Sequence, residues 1–243
     1  TPIGRMAGSL SKFASTQLGA MAVKEALARA QVSGDDVEEV IMGNVLQAGL
    51  GQNPARQAAL GGGVTNEAGC FTVNKVCGSG LKSVMLAANE IRLGAANVIV
   101  AGGMESMTNA PYMIPKARAG LRLGDGKLVD GMIKDGLWDA YEDFHMGNTG
   151  ELIAERFDIT REAQDAYAAE SHRRAAHAAA FCFAQDAGRG PQPPHPHTPP
   201  HRTDGKGPPQ AALFLVRQLL QLIAVGRCFP FVVAEPRDHD LLG

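Results

Sequence analysis

The sequence predicts an α/β fold organised around a parallel β-sheet. Short apolar runs typical of buried strands alternate with stretches of helical periodicity, and the connections between them are short. The composition suits a globular chain, since 45% of the 243 residues are hydrophobic and 20% are charged. A sizeable hydrophobic core is therefore expected.

The first elements are a helix, a strand and a second helix. Residues 13–31 are predicted to be helical because five residues lie near helical spacing and charged residues remain available for water; the five are Leu18, Met21, Ala22, Glu25 and Ala26. A buried parallel strand is predicted within residues 37–45, whose centre is apolar. Asn53 and Pro54 have the residue types of an N-cap and a first helical position, so a helix is predicted over residues 55–60.

The next strand, helix and strand complete the predicted sheet. Residues 70–76 are predicted to form a strand that leads into a tight turn at residues 77–80. A helix then runs from Ser79 to about Gly94, with apolar residues at helical spacing: Leu81, Val84, Met85, Ala88 and Ile91. Residues 96–101 form the next buried strand, which is followed by two glycines.

The remaining chain has a different character. Residues 104–150 lose the strand–helix alternation and are predicted to form an inserted lobe over the sheet, a common location for substrate contacts. Helices return over residues 151–180, where Thr160 is a predicted N-cap. Ten of the 14 prolines follow residue 180, and the Pro-rich residues 186–210 are predicted to be a disordered linker.

Composition excludes several classes of function. A formal net charge of −2 provides no positive field for nucleic acid or an anionic membrane surface. The longest apolar run, residues 211–225, is interrupted by an arginine and two glutamines and is shorter than the roughly 20 residues of a membrane-spanning helix. Four cysteines without a Cys-x-x-Cys pair indicate a reducing compartment, and the cytoplasm is expected.

Two kinds of cofactor site are also not expected. His195, His197 and His201 lie in a Pro-rich segment without a carboxylate or cysteine at ligand spacing, so no metal site is predicted. Gly49, Gly51 and the three glycines at residues 61–63 do not form the dinucleotide fingerprint after a strand. Neither a metal ion nor a dinucleotide is predicted.

Cys77 is the strongest candidate for chemistry. It lies between a predicted strand and a predicted helix, and the small residues after it allow a sharp turn and close approach of a substrate to the sulfur. A helix N-terminus favours a thiolate through its dipole and its unpaired N–H groups. A nucleophile is one interpretation, and a buried structural thiol is the other, because free cysteine is among the most buried residue types.

Several segments together resemble one known family. The most specific is Asn-Lys-Val-Cys-Gly-Ser-Gly, residues 74–80, around Cys77. In all, seven segments occur in the matching order, at residues 1–5, 42–46, 51–58, 74–83, 101–112, 134–139 and 145–147. They resemble the thiolases, particularly the acetyl-CoA acetyltransferases, and the resemblance covers residues 1 to about 180.

The resemblance implies a fold and a set of domains. Thiolases consist of two similar α/β halves in an αβαβα sandwich, and this chain resembles the N-terminal half with part of the loop lobe. The implied division is an α/β core carrying the nucleophile at residues 1–103, a partial CoA-binding lobe at 104–180, and an unrelated tail at 181–243. A strand is also expected before Thr1.

The resemblance also implies an activity. Cys77 matches the nucleophile that accepts an acyl group from acyl-CoA, and a second acetyl-CoA then attacks the thioester to give a 3-oxoacyl-CoA, or the steps run in reverse as thiolysis. His145 and Met146 match the motif beside the acyl and pantetheine end of CoA. CoA thioesters are the expected substrates, with no separate cofactor, and a homo-oligomer is expected. Three basic residues of the lobe are candidates for the CoA phosphates: Arg118, Arg122 and Lys127.

The sequence departs from the family pattern in its last quarter. Thiolases carry an Asn-Glu-Ala-Phe segment, a Gly-His-Pro segment and a Cys-x-Gly-Gly-Gly segment in their second half, and none occurs here. Residues 66–68 have the sequence Asn-Glu-Ala, which matches the start of the first of these segments, but they precede the predicted strand that leads to Cys77. Two alternatives to an active acyltransferase therefore stand: an inactive thiolase fragment, and a ketoacyl-synthase relative that uses acyl carrier protein.

The abrupt change near residue 180 suggests a hypothesis about the coding sequence. A shifted reading frame in GC-rich DNA would give the Pro, His, Arg and Gly-rich composition of residues 181–243. A natural tail is the alternative. Translating the other frames of the coding DNA from codon 181 distinguishes them, because only a frame shift predicts a thiolase-like continuation there.

Overall fold

A computed structural model describes residues 5–187 and 231–234. The chain divides into two compact units, Thr1–Thr149 with Cys228–Gly243, and Gly150–Arg227. The helices are α1 (Ser15–Ala30), α2 (Pro54–Gly61), α3 (Ser79–Arg92), α4 (Met146–Arg156) and α5 (Arg161–Ala187). The strands are β1 (Glu39–Gly43), β2 (Gly69–Val73), β3 (Val98–Gly103), β4 (Tyr112–Met113), β5 (Val129–Asp130) and β6 (Phe231–Ala234).

The main sheet of the first unit has the order β2-β1-β3-β6. Strand β1 is central and runs parallel to both neighbours, with Val40 opposite Cys70 on one side and Val100 on the other. Strand β6 pairs antiparallel with β3, so four residues of the C-terminal segment form part of the sheet. The predicted α/β fold with a parallel sheet is confirmed.

Local capping explains where α2 begins. The Asn53 side chain accepts a hydrogen bond from the Arg56 N–H at 3.2 Å, and Pro54 is the first helical residue, as predicted. Asn53 also donates to the Cys70 carbonyl at 2.9 Å, which ties the start of α2 to β2. The same residue therefore caps a helix and fixes the helix beside the sheet.

Helices α1 and α2 cover one face of the sheet and enclose the main core. Val40 and Met42 of β1 and Val100 of β3 are fully buried there. The buried residues of α1 are Gly19, Val23 and Leu27, together with Ser15 and Thr16 at its start, and none of the residues whose spacing predicted the helix is among them. Gly19 is buried because α1 approaches α2 closely at this point, where a Cβ on Gly19 would lie 3.0 Å from the Cβ of Ala58.

Helix α3 lies on the opposite face of the sheet. Val84, Ala87 and Ile91 are buried against it. Two further apolar residues on α3, Leu81 and Met85, are 48% and 49% exposed. Helix α3 is therefore apolar on its sheet face and partly apolar on its outer face.

Residues 104–149 belong to the same compact unit as the sheet, although the sequence predicts a domain boundary after residue 103. Hydrogen bonds explain this, because Asn109 donates to the Ser11 and Phe13 carbonyls at 2.9 Å. Strands β4 and β5 form a separate antiparallel pair in this segment. The boundary between the two compact units follows Thr149.

The described part of the second unit, residues 150–187, is mostly helical. Thr160 accepts a hydrogen bond from the Ala163 N–H at 3.3 Å, as predicted for an N-cap. On α5, Glu170 forms exposed ion pairs with Arg173 and Arg174. Across the residues that the structure describes, every helix is too short or too polar to traverse a lipid bilayer.

Candidate active site

Cys77 lies on a tight turn between β2 and α3. It is exposed and immediately precedes Gly78, the N-cap of α3. The Ser79 hydroxyl accepts a hydrogen bond from the Lys75 N–H at 2.8 Å and donates one to the Val76 carbonyl oxygen at 2.6 Å. The backbone on the N-terminal side of Cys77 is therefore held by a side chain from its C-terminal side.

Val76, directly before Cys77, has a left-handed backbone with φ of 47°. A β-branched residue rarely adopts this conformation, which costs on the order of 1–3 kcal/mol. The hydrogen bonds of Ser79 and the bond from Gly78 N to Lys75 O, 3.0 Å long, hold the backbone in place. Strain of this kind is typical of residues that position functional groups.

Glycines allow the start of α3 to lie directly on the ends of the strands. A Cβ on Gly43, the last residue of β1, would lie 2.5 Å from the Ser79 carbonyl carbon. A Cβ on Gly103, the last residue of β3, would lie 3.2 Å from Gly80 Cα. A side chain at Gly43 would therefore displace the turn that carries Cys77, and one at Gly103 would be in tight contact with the start of α3.

Ser83 fixes the next turn of α3 to the sheet. Its side chain is fully buried, and its hydroxyl oxygen lies 2.6 Å from the Gly102 carbonyl oxygen of β3 and 2.6 Å from that of Gly80. A buried hydroxyl needs such a partner, because burial without one costs about 1–3 kcal/mol. The sequence had not indicated this contact.

His145 and Met146, the predicted binding residues, lie at the start of α4. His145 Nδ1 accepts a hydrogen bond from the Gly147 N–H at 2.9 Å, so in the neutral ring the proton is on Nε2. Met146 is the first residue of α4 and is 37% exposed. This arrangement leaves Nε2 as the hydrogen-bond donor of the imidazole.

Hydrogen bonds do not connect the predicted nucleophile with the predicted binding residues in the part of the chain that the structure describes. Within residues 5–187 no hydrogen bond links Cys77 and His145, and none reaches the Cys77 thiol. The basic residues Arg118, Arg122 and Lys127 are exposed and outside the ion pairs of the described chain.

Glu105 is a residue of this region that sequence reasoning did not single out. Its carboxylate accepts hydrogen bonds from the Val45 N–H at 2.9 Å and the Leu46 N–H at 3.2 Å. Burial raises the pKa of Glu105, and the hydrogen bonds to its oxygens oppose that rise. A glutamate directly after a buried strand was the available signal, because a carboxylate is rarely buried unless it is paired.

Metal binding has no support in the described chain. No group of three or more His, Cys, Asp or Glu side chains there could hold a metal ion. The histidines at residues 195, 197 and 201 lie outside the described residues.

The fold and the turn together define the class of protein. It is an α/β domain that presents an exposed cysteine at a helix N-terminus, at the carboxyl end of parallel strands. The family profile described as "Thiolase, N-terminal domain" matches residues 1–186. The chain belongs to the thiolase family, which confirms the resemblance found in its sequence.

Individual relatives agree with this assignment. Acetyl-CoA acetyltransferase 1 of Arabidopsis thaliana is 58% identical over 174 residues, which are 72% of this chain and 42% of the relative. The acetyl-CoA acetyltransferase of Cupriavidus necator is 55% identical over 72% of this chain and 44% of its own length. The acetyl-CoA acetyltransferase of Escherichia coli is 55% identical over 72% of this chain and 45% of its own length. The chain spans less than half the length of these relatives.

Proposed function

We propose that Cys77 accepts an acyl group from an acyl-CoA in a reaction of the thiolase type. The full reaction is the condensation of two acetyl-CoA molecules to acetoacetyl-CoA and CoA, or its reverse. The observation that carries the proposal is the exposed Cys77 on a closed turn directly before α3. The names of the relatives support acetyl-CoA as the substrate.

The acyl-transfer step forms one thioester and breaks another. The Cys77 sulfur attacks the carbonyl carbon of acetyl-CoA, the bond from that carbon to the CoA sulfur breaks, and CoA leaves as the thiol with the proton that Cys77 gave up. The positive end of the α3 dipole stabilises negative charge near the sulfur during this exchange. A second acetyl-CoA, deprotonated at its methyl group, then attacks the acetyl group and releases the Cys77 thiol.

His145 and Met146 are proposed to border the pantetheine end of CoA. The support is chemical, because the His145 Nε2–H can donate to an acyl or amide carbonyl while Nδ1 is held by Gly147. The exposed Met146 offers apolar contact to the same group. Exposed basic residues suit the CoA phosphates: Arg118, Arg122 and Lys127.

A second candidate function is acyl acceptance without turnover. It is supported by the turn around Cys77, because the exposed thiol at the N-terminus of α3 suits attack on a thioester, a step that needs no second activated acetyl-CoA. After acyl transfer, condensation also requires a base for the acetyl-CoA methyl group and hydrogen-bond donors for the enolate oxygen. A chain without these groups would stop at the acyl-thioester.

A homo-oligomer and a cytoplasmic location belong to the same proposal. Strand β2 is an edge of the main sheet, and Phe71 on it is 36% exposed. An edge strand of this kind can pair with that of a second copy. The described cysteines, Cys70 and Cys77, are free thiols, as in a reducing compartment.

Intact-mass spectrometry after incubation with acetyl-CoA tests the proposal. We expect wild type to gain one acetyl group in place of one hydrogen, with release of one equivalent of CoA, and Cys77→Ser to gain none at that position. Cys70→Ser is the matched control, because it removes a thiol of the same sheet and leaves the turn intact.

Formation of acetoacetyl-CoA in the same sample separates the two candidates. An adduct with acetoacetyl-CoA supports the full reaction, and an adduct without it supports the acyl-accepting half-reaction. Absence of any Cys77-dependent adduct would overturn both.

A further inference from the structure

We propose that Glu105 is a positioning residue for Cys77, acting through the ends of β1 and β3. The inference rests on the proposed role of Cys77 as acyl acceptor. Glu105 follows Met104 at the end of β3, and its carboxylate holds the segment that follows β1. These strand ends form the surface on which the Cys77 turn rests.

The carboxylate of Glu105 uses both oxygens. Oε2 accepts from the Val45 N–H at 2.9 Å, while Oε1 accepts from the Leu46 N–H at 3.2 Å and from Asn44 Nδ2 at 2.8 Å. An ionised carboxylate is suited to this task because both of its oxygens only accept hydrogen bonds. The segment after β1 is thereby fixed in a single backbone position.

Asn44 extends this network to the backbone that follows β3. Its side chain is 1% exposed, and Nδ2 also donates to the Met104 carbonyl at 3.1 Å. Its Oδ1 finds no hydrogen-bond donor among the described atoms, which costs about 1–3 kcal/mol. The Asn44 side chain is therefore oriented by the two hydrogen bonds that its Nδ2 donates, to Glu105 and to the Met104 carbonyl, although this orientation leaves its Oδ1 without a donor.

Two backbone contacts connect the network to the cysteine turn. The Asn44 N–H donates to the Val73 carbonyl at 3.1 Å, and Val73 is the last residue of β2 before the turn. Gly43, adjacent to Asn44, lies directly beneath Ser79. A shift of the segment after β1 would therefore move both ends of the turn that presents Cys77.

The test measures the position of Cys77 without requiring CoA. The alkylation rates of Cys77 and Cys70 by iodoacetamide are followed separately by peptide mass spectrometry across a pH series. Cys70 is the internal reference for folding, because it is half-buried on β2 and burial raises its pKa. Unfolding would accelerate Cys70, whereas displacement of the turn would change Cys77 alone.

Glu105→Gln is the first variant, because it keeps the shape and replaces one accepting oxygen with a donor. We expect the Cys77 alkylation rate to change by about 2-fold or more, because moving the turn alters the access of the reagent to the sulfur and the position of the sulfur relative to the unpaired N–H groups at the α3 N-terminus. Cys70 alkylation should stay at the wild-type rate. Glu67→Gln, at an exposed glutamate, is the matched control and should leave both rates unchanged.

A folded Glu105→Gln variant with a wild-type Cys77 rate and pH profile would overturn the inference. If that variant unfolds, the alkylation rates of Cys77 and Cys70 are measured in Glu105→Asp instead. This variant keeps the negative charge and shortens the side chain by one methylene. Acetyl transfer from acetyl-CoA is measured on the same samples. Failure of wild type to become acetylated contradicts the proposed function, while the alkylation rates still decide the role of Glu105.

Discussion

The Ser79 hydroxyl donates a hydrogen bond to the Val76 carbonyl oxygen over 2.6 Å, so the first residue of α3 closes the backbone that precedes Cys77. The same oxygen accepts from the Lys75 N–H at 2.8 Å. One hydroxyl therefore satisfies two backbone groups of the turn. Because Ser79 is buried, water cannot readily replace it.

Ser79→Ala should lower both stability and Cys77 reactivity. We expect a loss of about 1–3 kcal/mol in the free energy of unfolding, because two backbone groups lose their partner. Ser83→Ala is the matched control, as it removes another buried hydroxyl of α3 that contacts the Gly102 carbonyl. Urea unfolding should show similar losses of stability in the two variants, whereas iodoacetamide alkylation of Cys77 should slow only in Ser79→Ala. Equal alkylation rates in the two variants would contradict this role.

Val76→Gly should stabilise the chain. The left-handed φ of 47° is strained for valine and ordinary for glycine, and the valine side chain is 54% exposed, so little burial is lost. We expect the free energy of unfolding, measured with urea, to rise by about 1 kcal/mol, because the strain that is relieved exceeds the entropy cost of introducing glycine.

Leu93→Gly is the control for Val76→Gly, because Leu93 is 81% exposed and has an ordinary φ of −83°. It should destabilise the chain by about 0.5–1 kcal/mol. A loss of stability in both variants would show that Val76 is not strained.

Gly43→Ala should displace the start of α3. The added Cβ would lie 2.5 Å from the Ser79 carbonyl carbon, and backbone on both sides leaves no flexible neighbour to move. We expect a loss of about 1–3 kcal/mol, the usual cost of overpacking, together with altered Cys77 alkylation.

Gly69→Ala is the matched control in the same sheet. The nearest atom to its added Cβ is Glu39 Oε1 at 3.6 Å, an ordinary contact. Urea unfolding should show no loss of stability, since alanine in a strand is favoured over glycine by about 0.5–1 kcal/mol. Equal losses at Gly43 and Gly69 would argue against a specific contact beneath Ser79.

Glu39 makes stability depend on pH. A hydrogen bond with the Glu90 carboxyl, burial, and repulsion from Glu90 raise the pKa of Glu39 from 4.5 to about 7. A raised folded-state pKa means that this contribution to stability is complete below pH 4.5 and is lost as the pH rises through about 7. The free energy of unfolding should therefore fall across this range.

Glu39→Gln should flatten that dependence, because the amide keeps a hydrogen-bond donor for Glu90 at every pH. Urea unfolding below pH 4.5 and above pH 7 measures the difference. Glu67→Gln, which removes an exposed carboxylate outside the pair, should keep the wild-type slope. A Glu39→Gln slope equal to that of wild type would contradict the assignment.

The predicted order of helices and parallel strands through residue 103 is the order found, and the Asn53 and Thr160 caps are confirmed. These features depend on local pattern, because a cap or a buried strand is specified by residues close together in the chain. The strands are shorter than predicted at several ends, and β6 lies in a segment for which no strand was expected. Pairing of β6 with β3 joins residues far apart in sequence, which no local pattern encodes.

The candidate site divides in the same way. Contiguous residues are enough to place Cys77 between a strand and a helix and within a recognisable motif. The buried face of α1 at Gly19, Val23 and Leu27, the strained backbone of Val76, and the hydrogen bonds from Glu105 to the segment after β1 emerge only from the folded chain. Each of these features depends on contacts with residues that are distant in the sequence. Those contacts form only when the helices pack against the sheet.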